Sequence, residues 1–216
     1  METLAYWKKE TQKYQTPHLR LLRIVEEIRQ HKQHGRVLDI GCGPQTLGSM
    51  LGTAYEYYGV DVVGTGDAHF QAFDFEQHSL TEFPFKETFD IVTCSGLLEY
   101  LSLAKIEELL KLIHSTLLTQ ESLFVATYTN FAHVTRRRGK MHPKWITKIS
   151  INEIQELYRR SGFEIQASYP SYYKIGGGPL KPGLWWNLQR HLPLPKSGWF
   201  ASLFGKQYIF VLKKKD

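Results

Sequence analysis

A short segment near residue 40 carries the clearest structural information in this 216-residue chain: Val37-Leu38-Asp39-Ile40-Gly41-Cys42-Gly43-Pro44. Residues 36–40 read as a buried strand, and the two glycines that follow predict a tight turn. In a doubly wound α/β sheet, the ligand crevice lies at the carboxyl end of the first strand. Glycine there lets a ligand approach the backbone closely, because it has no side chain. The segment therefore predicts a ligand site that begins at Gly41.

A second acidic residue bears on what the ligand is. Asp61 ends the next predicted strand, 55–60, about 20 residues after the first glycine, where an acid can accept hydrogen bonds from ribose hydroxyls. NAD is disfavoured, because Thr46 occupies the last glycine position of G-x-G-x-x-G and Asp39 beside the turn would repel a pyrophosphate. An acid there suits a cation such as S-adenosylmethionine, which carries an ammonium and a sulfonium but no phosphate.

Strands and helices are predicted to alternate along the rest of the chain. The predicted strands are 36–40, 55–60, 69–74, 89–94, 122–128, 163–169 and 207–213. The predicted helices are 17–34, 47–51, 103–118 and one that a capping box at Ser150–Glu153 opens and Gly162 ends. This alternation predicts a mostly parallel sheet with helices on both faces. Segment 171–206, rich in Gly, Pro and Trp, is too long for an idle connection and is predicted to be functional or mobile.

Over roughly residues 18–130 the sequence resembles the class I S-adenosylmethionine-dependent methyltransferases, in particular their type 11 and MetW-like groups. The resemblance lies in segment 37–44, in Asp61, in Asp74-Phe75 and in residues 89–101, which are similar to the family's FDxVxxxxxLEHL segment. More loosely, Asn130-Phe131 followed by His133 and Arg138 is similar to MetW-like proteins. The resemblance implies an α/β fold with a Rossmann-like, doubly wound seven-stranded sheet. That sheet would be mostly parallel with an antiparallel last strand, in a three-layer αβα arrangement.

The resemblance also implies that S-adenosylmethionine is the cofactor and that eleven residues line its site. These residues are Asp39, Gly41, Cys42, Gly43, Asp61, Val62, Asp74, Phe75, Ser95, Gly96 and Leu97. The glycine turn would pass against the amino-acid part of the cofactor, with Asp39 near its ammonium. Asp61 would bind the ribose, Asp74 the adenine, and residues 95–97 would line the methyl-donor side. Each acid also has a structural alternative: a helix cap for Asp39, a turn residue for Asp61 and a solvated strand end for Asp74.

Three further residues qualify this pattern. Gln45 stands where many relatives have glycine, so the turn could hold the ligand slightly differently. Tyr100 replaces the usual histidine of the family segment. Glu99, just before it, is predicted to cap or pair locally rather than to take part in the chemistry.

Length and composition indicate one globular domain, 1–216. We divide it into an N-terminal helical lid (1–35), a cofactor-binding core (36–129) and an acceptor-side half (130–216) that contains the aromatic insertion 171–206. No apolar run approaches the roughly 18 residues of a membrane span, and the polar N-terminus is not a signal peptide. The two cysteines lack a C-x-x-C or metal-ligand spacing. We therefore predict no metal site and a reducing, cytoplasmic setting.

Positive charge is concentrated in the second half of the chain. The net charge is +6, yet residues 130–216 hold 16 of the 27 Lys and Arg and 4 of the 21 Asp and Glu. The run Arg136–Lys140 contains no acid and could bind phosphate groups, and the Trp-rich stretch 184–204 suits a membrane interface. Peripheral contact with an anionic membrane, at the inner membrane face, is one prediction. The alternative is a solvated basic surface, with the aromatic residues covering the sheet edge or the acceptor pocket.

The methyl acceptor is less well defined than the cofactor. Methyl transfer needs a general base only if the acceptor atom is protonated, as in a hydroxyl, and His133 and His142 are the candidate bases. Tyr6 and Trp7 could fold over the cofactor as a lid. We expect O-methylation of a small-molecule, glycan or lipid-linked acceptor, because aromatic insertions often shape acceptor pockets. An RNA methyltransferase, favoured by the basic composition, and a non-catalytic MetW-like partner protein are the alternatives.

Overall fold

The chain forms one sheet with helices packed on it, and the computed structural model describes residues 2–11, 19–63, 69–136, 141–173, 201 and 203–215. The strands are β1 (Gly35–Ile40), β2 (Tyr55–Asp61), β3 (Phe70–Ala72), β4 (Phe89–Cys94), β5 (Leu118–Thr129), β6 (Phe163–Tyr173) and β7 (Gly205–Lys214). The helices are α1 (Glu2–Thr11), α2 (Leu19–His31), α3 (Thr46–Leu51), α4 (Leu103–Leu112), α5 (Phe131–Arg136) and α6 (Ile151–Arg160). Short 3₁₀ turns at Leu80–Glu82 and Leu98–Tyr100 follow β3 and β4.

The seven strands lie in the order β3-β2-β1-β4-β5-β7-β6. The pairings among β1 to β5 are parallel, and β7 runs antiparallel to both of its neighbours. The chain builds outward from β1 to β3 and then returns to the other side of β1 at β4. Such a reversal of strand order leaves a ligand crevice outside the carboxyl ends of the strands. The Rossmann-like, doubly wound sheet with an antiparallel last strand is therefore confirmed.

Two apolar clusters, one on each face of the sheet, hold the helices in place. Successive side chains of a strand point to opposite faces, and Leu38 of β1 belongs to one cluster while Val37 belongs to the other. Helix α2 packs on the Val37 side through residues such as Ile24, and α4 and α6 pack on the Leu38 side through Ile106 and Ile154. The result is the expected three-layer αβα arrangement.

Some element boundaries differ from the sequence-based expectation. The third strand, expected over 69–74, covers only Phe70–Ala72, because Asp74 already caps the next turn by accepting backbone N–H groups. The helix expected over 103–118 is α-helical to Leu112 and widens into a π-helical turn over Ile113–Leu117. That turn keeps the Ile113 and Leu117 side chains fully buried, and β5 begins directly after it rather than at residue 122.

The connection between the last two strands is shorter than the aromatic segment that was expected over 171–206. Strand β6 continues to Tyr173 and β7 begins at Gly205, and these two residues pair with each other. Residues 174–204 therefore connect the last two strands. Within the described ranges, no helix has the length and apolar character needed to cross a bilayer.

Candidate active site

A pocket of about 620 Å³ opens at the carboxyl ends of the parallel strands, a volume within the usual range of small-molecule sites. It lies where the turns after β1, β2 and β4 meet, at the point where the strand order reverses. All of the residues expected to line a cofactor site contribute to its wall: Asp39, Gly41, Cys42, Gly43, Asp61, Val62, Asp74, Phe75, Ser95, Gly96 and Leu97. The fold thus brings together segments that are far apart in the sequence.

Positive φ angles shape the glycine turn after β1. Gly41 has φ +78° and Gly43 has φ +53°, a region that glycine adopts without strain. A Cβ atom on Gly41 would stand 2.9 Å from Leu97 Cβ. The loop after β1 therefore approaches the loop after β4 more closely than a side chain on residue 41 would allow. Gln45 also has a positive φ, 58°. The departure from the family pattern at Gln45 therefore changes the side chain but keeps a left-handed backbone.

Asp61 ties the end of β2 to this turn. Its Oδ2 accepts a hydrogen bond from the Gly43 backbone N–H at 3.0 Å, and its Oδ1 accepts one from the Val63 N–H at 3.2 Å. Burial raises the pKa of the Asp61 carboxyl, and the hydrogen bonds from backbone N–H groups oppose that rise. Each carboxylate oxygen can accept a further hydrogen bond. Asp61 can therefore organise the turn and still receive ligand hydroxyls.

Asp39 is a buried carboxylate in the wall of the pocket, only 3% exposed. Its Oδ1 accepts a hydrogen bond from the Thr93 hydroxyl at 2.6 Å, and its Oδ2 accepts one from the Tyr57 hydroxyl at 2.8 Å. Burial raises the pKa of Asp39 to about 6, although both hydrogen bonds lower it. Helix α3 has Gln45 as its N-cap, so Asp39 does not cap it. A bound cation would favour the ionised form of Asp39.

Asp74 organises the turn after β3 and faces the same pocket. Its Oδ1 accepts hydrogen bonds from the backbone N–H groups of Glu76 and Gln77, at 3.1 Å and 3.2 Å. The neighbouring Phe75 is buried and packs edge-to-face on Phe73, with 5.2 Å between the ring centroids. Both Asp74 and Phe75 line the pocket. Asp74 therefore has the local turn role and a pocket position at once.

The loop after β4 lies against an arginine that sequence reasoning missed. Gly96 has φ +74° and donates its backbone N–H to Thr127 Oγ1 at 3.0 Å. A Cβ atom on Gly96 would stand 2.6 Å from a guanidinium nitrogen of Arg20, so the arginine occupies the space beside this glycine. Arg20 lines the pocket as well. A signal was available, since Arg20 lies one helical turn before the buried Ile24 on α2.

Arg20 interacts with the two buried carboxylates of the pocket. Its positive charge lowers the pKa of Asp39 and of Glu99, although burial of each carboxyl is the larger effect and raises both. The Arg20 guanidinium also lies 3.5 Å from Gln207 Oε1 on β7. Arg20 therefore connects helix α2 to strand β7 across the pocket.

Glu99 pairs locally, as expected, but it does so inside the pocket wall. Its Oε1 accepts hydrogen bonds from the backbone N–H and the hydroxyl of Thr129, at 2.9 Å and 2.7 Å. The Glu99 carbonyl accepts a hydrogen bond from the Ile146 N–H at 2.8 Å. Residue 99 thus connects β5 with the 141–150 segment, whose Lys144 and Trp145 also line the pocket.

The N-terminal helix α1 contacts one side of the pocket. Trp7 lines the pocket and packs edge-to-face on Tyr100, with 5.0 Å between the ring centroids. Tyr6, on the same helix, is hydrogen-bonded to His142 Nε2 at 2.8 Å. The Lys144 ammonium lies 5.3 Å from the centroid of the Tyr6 ring. Helix α1 is therefore attached to the loop after β4 and to the 141–150 segment.

Neither candidate histidine lines the pocket. His142 Nδ1 accepts a hydrogen bond from the Lys144 backbone N–H at 3.2 Å. In the neutral ring, Nε2 therefore carries the proton and donates a hydrogen bond to the Tyr6 hydroxyl oxygen. His133 is 1% exposed, and its Nδ1 is 2.8 Å from the Leu203 carbonyl oxygen, to which it donates. Both rings connect neighbouring segments of the chain. The assignment of either as a general base stays a prediction.

The second half of the chain supplies an aromatic and cationic group of lining residues. This group, which we call the basic rim, comprises Lys144, Trp145, Tyr172, Lys206 and Gln207. The Lys206 ammonium lies 5.7 Å from the centroid of the Tyr172 ring. The side chains of 136–140 and all of 174–200 lie outside the described residues. The predictions for the Arg136–Lys140 run, for Arg138 and for most of the stretch 184–204 therefore lie outside them too.

Known proteins share this fold. A TehB-like SAM-dependent methyltransferase from Corynebacterium glutamicum is 15% identical with a TM-score of 0.59, covering 98% of this chain and 99% of that one. An S-adenosylmethionine-dependent methyltransferase from Clostridium acetobutylicum is 9% identical with a TM-score of 0.63, covering 100% and 99%. A SAM-dependent methyltransferase from Archaeoglobus fulgidus is 19% identical with a TM-score of 0.56, covering 90% and 94%. No curated protein sequence gives a significant match.

A family model extends this likeness from fold to family. The model, described as a methyltransferase domain, matches residues 6–168, from helix α1 into strand β6. The match covers the glycine turn, the acids after β2 and β3 and the loop after β4. It does not single out the MetW-like group. The chain belongs to this methyltransferase family and has its Rossmann-like fold.

Proposed function

We propose that this methyltransferase transfers the methyl group of S-adenosylmethionine to a hydroxyl of a small-molecule, glycan or lipid-linked acceptor. The observation that carries the proposal is the continuity of the pocket. The eleven residues expected at the cofactor and the basic rim line one cavity of about 620 Å³. A cofactor and part of an acceptor can therefore meet inside it, shielded from water.

S-adenosylmethionine is the methyl donor, and the pocket suits a ligand of its charge. The structures from Corynebacterium glutamicum and Clostridium acetobutylicum are described as dependent on it. In this chain, the carboxylates of Asp39 and Asp61 both lie at the glycine turn, where they favour a cation and repel a phosphate. The bound cofactor supplies a methyl group on a positively charged sulfur, so the protein mainly has to position the acceptor atom.

The residues of the pocket divide into subsites for this cofactor. Asp61 would accept hydrogen bonds from the ribose hydroxyls, and Asp74 would accept one from the adenine amino group. The turn at Gly41 and Gly43 would pass against the amino-acid part, with Asp39 near the ammonium. The loop 95–97 would then lie beside the methyl group.

The acceptor side is supported by where the last two strands end. Residues 174–204 leave the sheet after Tyr173 and return at Gly205, and Tyr172 and Lys206 beside these ends both line the pocket. A segment of this length that starts and ends at the pocket can cover an acceptor. The ammonium groups of Lys144 and Lys206 have no carboxylate partner among the described residues, so the basic rim favours an acceptor that carries an anionic group. Residues 130–216 would form the acceptor-side half.

Helix α1 would act as the lid of the cofactor site. Trp7 lines the pocket, and the contacts of Tyr6 and Trp7 with His142 and Tyr100 attach the helix to two pocket loops. These contacts involve few residues, so the helix can detach without disturbing the core. Binding and release of the cofactor would then require α1 to move.

Two measurements test the proposal. Calorimetry should detect binding of S-adenosylmethionine and of its product S-adenosylhomocysteine. Cofactor labelled in its methyl group should transfer label to one class of molecule in a fractionated cell extract, separated into small molecules, lipids, RNA and protein. The Gly41→Val variant serves as a matched control that lacks the cofactor site.

The distribution of the label decides between the alternatives. Label in the small-molecule, glycan or lipid fraction supports the proposal. Label that resists alkali but is released as methyl iodide by hydriodic acid is in a methyl ether and supports O-methylation. Label in RNA would favour the RNA methyltransferase, whose RNA binding should weaken steeply with salt. Cofactor binding without transfer to any fraction would favour a non-catalytic, MetW-like partner protein. A lipid acceptor further predicts sedimentation with phosphatidylglycerol vesicles, as peripheral membrane contact requires.

A further inference from the structure

Glu99 is a buried pocket residue with only one of its carboxylate oxygens hydrogen-bonded. Its side chain is 1% exposed, and the two donors of Thr129 both bind Oε1. The second oxygen, Oε2, is buried and has no hydrogen-bond partner among the residues that the structure describes. Leaving a buried polar atom unpaired costs about 1–3 kcal/mol, and more for a charged group. Such an atom in the wall of a ligand pocket calls for a donor from the ligand.

The surroundings of Glu99 also favour proton acceptance. Burial raises the pKa of its carboxyl, while the hydrogen bonds from Thr129 and the charge of Arg20 lower it. The net effect is a rise. A carboxylate with a raised pKa is a stronger base than a solvated one, which brings it closer to the requirement for general base catalysis near neutral pH.

The strand order places Glu99 on the acceptor side of the pocket. Asp61 and Asp74 follow β2 and β3, so the ribose and adenine subsites lie on that side of β1. The methyl group is expected beside residues 95–97, directly after β4. Glu99 follows that loop and bonds to Thr129 at the end of β5, one strand further away from β2. An acceptor that approaches the methyl group from the side opposite the adenosine would therefore meet Glu99.

We propose that Glu99 Oε2 binds the acceptor hydroxyl and takes its proton during transfer, an inference that rests on the proposed function. The acceptor oxygen bonds to the methyl carbon, and the carbon–sulfur bond breaks with its electron pair on the sulfur. The hydroxyl proton passes to Oε2 and from there to solvent. Thr129 holds Oε1 throughout and so fixes the plane of the carboxylate. Glu99, rather than His133 or His142, is then the general base.

Defined probes allow a test before the acceptor is known. In one cofactor analogue, nitrogen replaces the sulfur and a 2-aminoethyl arm replaces the methyl group; in the other, the arm is n-propyl. The two arms have the same length, and the ammonium offers N–H donors where the acceptor hydroxyl would lie. Calorimetry on the full-length protein should show that the aminoethyl analogue binds at least about tenfold more tightly than the propyl analogue.

The Glu99→Gln variant should lose this preference and keep the cofactor. Glutamine retains an oxygen for Thr129 but removes the charge at Oε2, so the ratio of the two affinities should fall below about twofold. S-adenosylhomocysteine should bind with unchanged affinity. Glu27→Gln is the matched control, because Glu27 is also buried and is hydrogen-bonded by the Tyr169 hydroxyl, but it does not line the pocket. This control should keep the full preference, and thermal unfolding checks that both variants fold.

Several outcomes would overturn the role of Glu99. The wild-type protein could bind both analogues equally, or the Glu99→Gln variant could keep the preference. A tenfold loss of S-adenosylhomocysteine affinity in Glu99→Gln would place the carboxylate at the cofactor instead. These results differ from failure of the proposed function, in which the wild-type protein binds neither S-adenosylmethionine nor S-adenosylhomocysteine.

Discussion

The carboxylate of Asp61 accepts a hydrogen bond from the backbone N–H of Gly43, with 3.0 Å between the two atoms. The bond crosses from the end of β2 to the turn after β1, the two segments that begin the pocket. One side chain therefore shapes the glycine turn, and its carboxylate oxygens can still accept hydrogen bonds from a ligand.

Removal of the Asp61 carboxylate should weaken cofactor binding. We expect Asp61→Ala to weaken S-adenosylhomocysteine binding by about 1–3 kcal/mol, measured by calorimetry. The variant would lose the proposed hydrogen bonds to the ribose hydroxyls and also the support of the glycine turn. Asp61→Asn, which keeps an oxygen for the Gly43 N–H, should lose less. Glu56→Ala is the control, since Glu56 is an exposed carboxylate on the same strand. Unchanged affinity in a folded Asp61→Ala protein would remove Asp61 from the site.

Gly41 should be intolerant of any side chain, for a reason that separates it from Gly52, a glycine with a similar φ. Gly41 and Gly52 have φ of +78° and +80°, but a Cβ atom would meet Leu97 at 2.9 Å only at Gly41 and would meet nothing within 4 Å at Gly52. Gly41→Val should abolish detectable cofactor binding. Gly52→Ala should lower the free energy of unfolding by about 1–3 kcal/mol, because φ 80° with ψ −169° is a conformation that only glycine adopts readily, and should leave binding intact. Binding retained by Gly41→Val would show that the turn is not the site.

Asp39 should make the protein less stable as the pH rises from 4 to 6. Its pKa is about 6 in the folded chain, against about 3.9 when unfolded, so the folded state holds a proton that the unfolded state has released. The contribution of Asp39 to stability is therefore greatest below its unfolded pKa. It is lost as the pH rises through its folded pKa, which lowers the free energy of unfolding by up to about 3 kcal/mol. Urea unfolding at several pH values should show this slope in the wild type. Asp39→Asn should reduce it, and an equal slope in both proteins would contradict the raised pKa.

Cofactor binding should change in the opposite direction over the same pH range. The ammonium of S-adenosylhomocysteine would favour the ionised form of Asp39. As the pH rises and this carboxyl ionises, the affinity of the protein for S-adenosylhomocysteine should increase by up to about tenfold for each pH unit and level off near pH 7. Asp61 has a raised pKa too, so the comparison with Asp39→Asn isolates the share of Asp39. A variant that keeps the wild-type pH dependence of binding would place the ammonium elsewhere.

Much of the fold could be predicted because its signals are local. The apolar run of β1, the glycines after it and the capping box at Ser150 each depend on a few neighbouring residues. The capping box is present with both of its hydrogen bonds. The short β3 and the π-helical turn at 113–117 were not predictable in the same way. The end of β3 depends on a local turn at Asp74 that competes with the strand pattern, and the π-helical turn depends on the packing of Ile113 and Leu117 into the core.

The eleven residues expected at the cofactor could be predicted to share one pocket, whereas several of the other residues that line it could not. The expected residues lie at the carboxyl ends of strands or in the loops that follow them, so each is marked by its own motif. Arg20, Thr129 and Gln207 carry no such motif. Thr129 and Gln207 become neighbours only through the antiparallel register of β5 and β7, and Arg20 reaches Gln207 from a helix that lies 187 residues earlier in the sequence. The choice of histidines as candidate bases followed residue type, and it stays a prediction beside the proposed role of Glu99.

The proposed lid role of helix α1 predicts a kinetic effect of Trp7. Trp7→Ala removes the ring that lines the pocket and packs on Tyr100, so S-adenosylhomocysteine should dissociate roughly tenfold faster in a stopped-flow displacement experiment. The free energy of unfolding should change little, because none of the described side chains of the helix belongs to either core cluster. Lys9→Ala, an exposed change on the same helix, is the control. Equal dissociation rates in all three proteins would mean that α1 does not cover the cofactor.

The segment between β6 and β7 should be needed for the acceptor and not for the cofactor. We would replace residues 176–199 with a short Gly/Ser linker. The variant keeps the buried Ala201, and it keeps Leu203, whose carbonyl oxygen accepts a hydrogen bond from His133. Glycine and serine close the connection between Tyr173 and Gly205, which pair in the sheet, so the strand register can persist.

The residues expected at the cofactor lie on other loops, and S-adenosylhomocysteine affinity should therefore stay within about twofold, a change worth less than 0.5 kcal/mol. Transfer of labelled methyl groups to the acceptor fraction should be lost, because the tryptophans of the segment would no longer cover the acceptor. Transfer at the normal rate would rule out a covering role, and a protein that no longer unfolds cooperatively would show that these aromatic residues belong to the core.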